Sequence, residues 1–223
     1  MNFPKQYKTG VAYFMDFEFK VSPDTFIPRP ETELLVEKAV ETVRDPVSPQ
    51  SIDHNLQILD IGTGCGNIAI SLTKYLPQSK ILALDISHGA LLKARENAEM
   101  LDALDKVTFL ESDLLSALKE KDLFDLIICN PPYVSEKDMR QLPDEVREEP
   151  HSALYGGRDG LNFYRRIVKD AKPYLKKGGS LLMETGYDQS ESVKALLEDN
   201  GYINIEIFKD YSGIDRVLKA KVR

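Results

Sequence analysis

From Leu56 onward the chain alternates short apolar runs with amphipathic segments, and this alternation restricts the fold more than any other feature. Apolar runs fall at 57–61, 80–84, 107–110, 123–129, 180–184, 203–208 and 217–222, while helical spacing falls at 67–75, 89–101, 161–174 and 190–200. Near-continuous apolar runs suit strands covered on both faces, and the intervening helices supply the crossovers that join parallel neighbours. Only residues 209–216 separate the last two runs. That gap is too short for a helical crossover, so the final strand is expected to enter antiparallel. The expectation is an α/β fold with a seven-stranded mixed sheet, helices on both faces and an antiparallel last strand.

Residues 1–33 read differently. Phe14, Asp16, Glu18 and Lys20 alternate with Phe17, Phe19 and Val21, and Ser22-Pro23-Asp24 forms a turn signal, which together predict a small β-hairpin lead-in. Leu34, Leu35, Lys38, Ala39 and Val43 then follow helical spacing behind Pro30, a favoured residue near a helix start. Residues 44–55, with Pro46 and Pro49, are expected to form a loop. The expected division is a lead-in over 1–33 and a main domain over 34–223.

Composition excludes several classes. With 42% hydrophobic residues in 223, the chain can bury a sizeable core, so disorder is not expected. A net charge of -7 argues against stable binding to a nucleic-acid backbone, which needs a Lys/Arg surface. No stretch approaches the ~18 apolar residues of a membrane span, and Met1-Asn2-Phe3-Pro4-Lys5 does not begin a secretory signal. Cys65 and Cys129 lie far apart without metal-type spacing, so neither a disulfide framework nor a zinc site is expected, and a reduced, cytoplasmic setting follows. His54, His88 and His151 form no ligand spacing, and no metal is expected.

Three motifs carry chemistry. Asp60-Ile61-Gly62-Thr63-Gly64-Cys65-Gly66 stands where the first core strand turns into a helix, and its glycines let the backbone approach a ligand closely. A dinucleotide fingerprint would want a small residue where Asn67 stands, so that match is incomplete. Asp60 is instead expected to face a cationic ligand group. Asp85 closes the second strand, where a carboxylate accepts both hydrogens of a ribose diol. Asp113 and Leu114 close the third, placed to meet an adenine amine and cover its ring. The third motif is Ile127-Ile128-Cys129-Asn130-Pro131-Pro132-Tyr133, an apolar strand stopped by two prolines. It sets a stiff polar turn at a strand's carboxyl end, where open α/β sheets bind ligands. The Asn130 side-chain oxygen and the Pro131 carbonyl can accept both hydrogens of a primary amide while Tyr133 packs on its planar face.

Together these motifs resemble the class I S-adenosylmethionine-dependent methyltransferases, with Asn-Pro-Pro-Tyr typical of the branch that modifies planar nitrogens. Further segments are similar to the release factor glutamine methyltransferase (HemK-type) family: Phe26-Ile27-Pro28-Arg29-Pro30-Glu31-Thr32-Glu33, Glu149-Pro150 through Leu161, Glu184-Thr185-Gly186-Tyr187-Asp188-Gln189 and Asp210-Tyr211 through Arg216. The resemblance implies a Rossmann-like fold and S-adenosylmethionine as donor, with S-adenosylhomocysteine as product. It implies a cofactor site of Asp60, Gly62, Thr63, Gly64, Cys65, Gly66, Asp85, Ile86, Asp113, Leu114 and Asn130. Asn130, Pro131, Pro132 and Tyr133, with Phe26 as cover, would hold the substrate, and Asn130, Pro131 and Tyr133 would act in catalysis. The implied reaction is N5-methylation of a glutamine in the Gly-Gly-Gln loop of a peptide chain release factor. A ribosomal-protein glutamine, a nucleobase amino group or a non-catalytic binding role are the alternatives. Two departures stand out: a short lead-in where the family usually carries a small helical domain, and His88 where Pro is common.

Overall fold

The computed structural model describes residues 3–44, 56–119, 121 and 123–223. The expected loop therefore lies, apart from Arg44, outside the described residues, as does His54. The chain opens with α1 (Lys5–Thr9), which the sequence did not signal, and then forms the hairpin of β1 (Val11–Phe14) and β2 (Phe17–Lys20). Its reversal is at Met15-Asp16, with Met15 at φ 52° and Phe14 opposite Phe17. This corrects the expected faces. A two-residue turn reverses parity, so Phe14 is buried together with Phe19 and Val21 rather than sharing an outer face with Glu18. Those side chains join Leu35, Ile58 and Ile70 in one apolar cluster, each fully buried side chain contributing about 1.5–3 kcal/mol.

A 3-10 turn over Pro30–Thr32 leads into α2 (Glu33–Val43). The main sheet follows as β3 (Gln57–Ile61), β4 (Lys80–Asp85), β5 (Val107–Glu111), β6 (Phe124–Cys129), β7 (Leu175–Glu184), β8 (Ile203–Lys209) and β9 (Asp215–Lys221). Strand order is β5-β4-β3-β6-β7-β9-β8. The first five strands pair in parallel, and β9 inserts between β7 and β8 antiparallel to both, as the short connection requires. Helices α3 (Asn67–Tyr75) and α4 (His88–Met100) join the early strands. Ser87 caps α4 by accepting from the Ala90 amide at 3.2 Å, so His88 enters the helix without strain from the missing proline.

Three short helices between β6 and β7 were not anticipated: α5 (Glu136–Met139), α6 (Asp144–Arg147) and α7 (His151–Leu154). Single turns of four residues show no readable apolar period. Beyond them, α8 (Asn162–Ala171) ends earlier than its periodicity suggested, because Pro173 tightens the last turn into a 3-10 segment over Lys172–Tyr174. The last helix is α9 (Ser190–Asp199). A second apolar cluster, with Leu59, Ile127, Tyr164 and Val193, fills the opposite face of the sheet. Among the described residues no helix is long and apolar enough to cross a membrane.

Candidate active site

The chain passes outward through β3, β4 and β5 and then returns to β6 beside β3, so the order reverses between β3 and β6. Loops diverge at such a point and leave a crevice at the carboxyl ends of the strands. A cavity of about 440 Å³ opens there, within the range of small-molecule sites. On one side lie Gly62, Thr63, Gly64, Asp85, Ile86, Asp113 and Leu114; on the other lie Asn130, Pro131, Pro132 and Tyr133, with Phe26 at the cover. Elements from seven separate stretches of sequence thus meet around one space.

The glycine loop is tied to β4. The amides of Gly62 and Thr63 both donate to the Leu84 carbonyl at 2.8 Å, and the Gly64 amide donates to Asp85 Oδ2 at 2.8 Å. Gly64 sits at φ 57°, a conformation that favours glycine. Asp85 Oδ1 accepts from the Ser87 amide at 2.9 Å. A carboxylate with two oxygens offers about four acceptor positions, so each oxygen keeps capacity for a ligand hydroxyl. Burial raises the Asp85 pKa, against the backbone amides of Ser87, Gly64 and Ile86. Asp113 lines the same side and is paired with Arg166 of α8 at 2.8 Å.

Asp60, Cys65 and Gly66 do not line the cavity. Asp60 is fully buried on the β3 face beneath α3, flanked by Ala83 and Ile128, so it does not present its carboxylate to a ligand in the cavity as expected. Neither of its oxygens has a hydrogen-bond partner among the described residues. Burial pushes its pKa up to about 7, opposed by the nearby Thr63 hydroxyl and Ala69 amide. Cys65 is buried and its thiol is pushed up to about 12. Gly66 is the residue before α3, and an added methyl there would press on Ile70 and Ala94.

On the other side, the turn after β6 is held from behind. The Tyr133 carbonyl accepts from Gln189 Nε2 at 2.9 Å, and Val134 bridges the segment around Tyr155, its amide donating to the Leu154 carbonyl at 2.8 Å and its carbonyl accepting from the Gly156 amide at 2.9 Å. Asn130 Nδ2 donates to Thr32 Oγ1 at 3.1 Å. Burial raises the Tyr133 pKa, with Glu184 adding to it, so the phenol stays neutral. Arg29 anchors the cover: its guanidinium pairs with buried Glu149, lies 4.6 Å from the Phe26 ring centroid and donates to the Ile27 carbonyl at 2.9 Å. Glu149 also accepts from the Ile27 amide at 3.1 Å. One ion pair therefore joins the loop before α2 to the segment before α7, and both line the cavity.

Sequence reasoning missed Thr32, Asn67, His151, Phe163 and Arg166 as lining residues. Phe163 and Arg166 stand three apart on one face of α8, a spacing that marks a shared face but does not say what it meets. Thr32 was quoted within a motif without a role. Among the described residues no cluster of three or more metal-ligating side chains occurs.

Residues 47–157 match the methyltransferase small domain family. The chain is 42% identical over 219 residues to a release factor glutamine methyltransferase of Moorella thermoacetica, covering 98% of this chain and 75% of that protein. The chain belongs to the release factor glutamine methyltransferase family. A second member, from Geobacter sulfurreducens, is 41% identical over 220 residues, covering 98% of this chain and 73% of its own. The solved release factor-specific protein-(glutamine-N5) methyltransferase of Alicyclobacillus acidocaldarius superposes with a TM-score of 0.53 at 26% identity, covering 92% of this chain and 99% of that one. Family membership makes the chain a methyltransferase.

Proposed function

We propose that this chain transfers the methyl group of S-adenosylmethionine to the side-chain amide nitrogen of a glutamine in the Gly-Gly-Gln loop of a peptide chain release factor. The observation that carries this reading is the placement of Asn130, on a proline-stiffened turn, in the same cavity as Asp85 and the glycine loop. The residues suit the donor. Asp85 is fixed by two backbone amides and keeps acceptor capacity for a ribose diol, Ile86 and Leu114 offer apolar faces for a base, and Asp113 offers an acceptor for its amine. Bound there, S-adenosylmethionine supplies an electrophilic methyl group.

A carboxamide nitrogen is a poor nucleophile because its lone pair is delocalised into the carbonyl. The chain's contribution is positioning. Asn130 Oδ1 and the Pro131 carbonyl accept the two N–H hydrogens, Tyr133 and Phe26 confine the planar group, and positive charge developing on nitrogen meets these two oxygens. The proton leaves to water after transfer. On this reading the chain acts in the cytoplasm, where its release factor substrate works.

The test is methyl transfer from labelled donor to release factor, DNA and RNA in parallel, with mass spectrometry of the product. The expected result is one methyl on the Gly-Gly-Gln glutamine. Asn130→Ala leaves a substrate N–H unpaired and the nitrogen misaimed, so the rate should fall on the order of 10²-fold or more while donor affinity changes little. A methyl on another residue, or a fully active Asn130→Ala, would remove the basis of the proposal.

A further inference from the structure

We propose that Glu184 is a positioning residue for the transfer step, acting through Thr32 to keep the Asn130 carboxamide oxygen turned toward the substrate. The assignment rests on the glutamine-methylation reading above. Glu184 ends β7 one residue beyond the pairing of Cys129 with Met183, which sets it beside Asn130 across neighbouring strands. It does not line the cavity, whereas Thr32 and Asn130 do. Its side chain is 1% exposed, and Oε2 has no hydrogen-bond partner among the described residues. A carboxyl buried behind an active-site amide, with one oxygen unpaired, is costly to keep unless it has work to do.

The work is to give direction to a chain of hydrogen bonds. An ionised carboxylate only accepts, so Glu184, whose pKa the neighbouring Thr32 hydroxyl holds down, would draw that hydroxyl hydrogen toward itself. Thr32 Oγ1 is then left as an acceptor, and it takes a hydrogen from Asn130 Nδ2 at 3.1 Å. With its NH2 group held from behind, the carboxamide presents Oδ1 to the cavity. The two ends of a carboxamide are nearly equal in size, so packing alone does not choose between them. If Thr32 were free to donate, it would bond Oδ1, and Asn130 would turn its NH2 group toward the substrate NH2. Donor would then face donor. Bonds that all run one way also polarise one another, which strengthens the acceptor at the substrate end.

The surroundings agree with an adjustable charge. Burial raises the Glu184 pKa to about 7, opposed by the Thr32 hydroxyl, Arg216 of β9 and the Asn130 amide, while Glu31 before α2 raises it further. Tyr133, Tyr164 of α8 and Cys129 of β6 are the other titratable groups facing it, and burial keeps all three neutral. Protonated Glu184 becomes a donor and no longer fixes the direction of the chain.

Glu184→Gln and Thr32→Val test this with the full chain and release factor. Glu184→Gln keeps volume but adds a donor, so kcat should fall about 10- to 10²-fold. Donor affinity by calorimetry should stay within about threefold, since neither residue is assigned to the donor. The rise of kcat with pH through the Glu184 titration in the parent should be absent in Glu184→Gln. Thr32→Val should lower kcat similarly, and the double variant should be no worse than either single one, because both break the same chain. Parental kcat in Glu184→Gln, a retained pH dependence, or a loss that tracks donor affinity or thermal stability would overturn the proposal. A parent that methylates no glutamine would overturn the functional reading and this inference together.

Discussion

Gly156 stands directly behind the Asn130–Tyr133 turn, and replacing it by alanine is a demanding test of how rigidly that turn is held. A Cβ at this position would lie 2.7 Å from Tyr133 Cα, 2.7 Å from the Gly160 carbonyl oxygen and 2.8 Å from the Pro132 carbonyl oxygen. All three are backbone atoms, so no side-chain rotation relieves the contact. Ordinary separations of about 3.3–3.6 Å for carbon and oxygen, and about 3.5–4.0 Å for two carbons, require a shift of at least about 0.5–0.8 Å. The proline-locked residues 131–133 must move as a unit, because their torsions have little freedom. A misplacement near 1 Å costs about 10²-fold in rate, so Gly156→Ala should lower kcat by about 10- to 10²-fold. Overpacking should add a stability loss of about 1–3 kcal/mol. The donor side is held separately by Leu84 and Asp85, so donor affinity should be nearly unchanged. Single-turnover methyl transfer, calorimetry with the donor and thermal melting measure the three quantities. Parental turnover with an unchanged melting temperature would refute the reasoning, and so would a rate loss matched by loss of donor affinity.

Asp85→Ala removes the acceptor for the Gly64 and Ser87 amides as well as the proposed ribose contact; donor affinity should drop about 10- to 10²-fold, at about 1.5–3 kcal/mol per charged hydrogen bond, as read by calorimetry. For Asp60, the folded pKa of about 7 lies above the unfolded 3.8, so between these values the folded state holds a proton that the unfolded chain has lost. Stability therefore falls as pH rises through that window, by at most about 4 kcal/mol, and Asp60→Asn should be stabilising at pH 8 but nearly neutral at pH 4 in urea titrations. An equal effect at both pH values would contradict this. Arg29→Met leaves Glu149 buried without its cation and should destabilise toward the lower end of about 3–5 kcal/mol, because Arg29 is itself partly exposed; Glu149→Gln in the same chain should restore most of the loss.

Local sequence pattern was sufficient to lay out the strands of the main sheet and its longer helices. The seven apolar runs became seven strands, because a run covered on both faces has few ways to bury itself other than in a sheet. The eight residues between the last two runs were enough to set β9 antiparallel, because crossover length limits topology. Asn130-Pro131-Pro132-Tyr133 announced its own turn, since proline fixes backbone torsions locally. What stayed hidden depends on distance in space. The hairpin's parity turned on where its two-residue reversal fell, at Met15-Asp16, a place without a turn signal of its own. Asp60 was read as a ligand group from its place at a strand end; only the packing of α3 over that face shows its carboxyl sealed in, without a hydrogen-bond partner of normal geometry among the described residues. Arg29 and Glu149 are 120 residues apart, and Thr32 and Asn130 are 98 apart, so no local pattern foretells that either pair meets. Gly156 shows the same division. Its sequence context suggests a turn, yet it must be glycine because the backbones of residues 132–133 and 160 pass where a side chain would stand, a requirement that exists only once the sheet has brought those segments together.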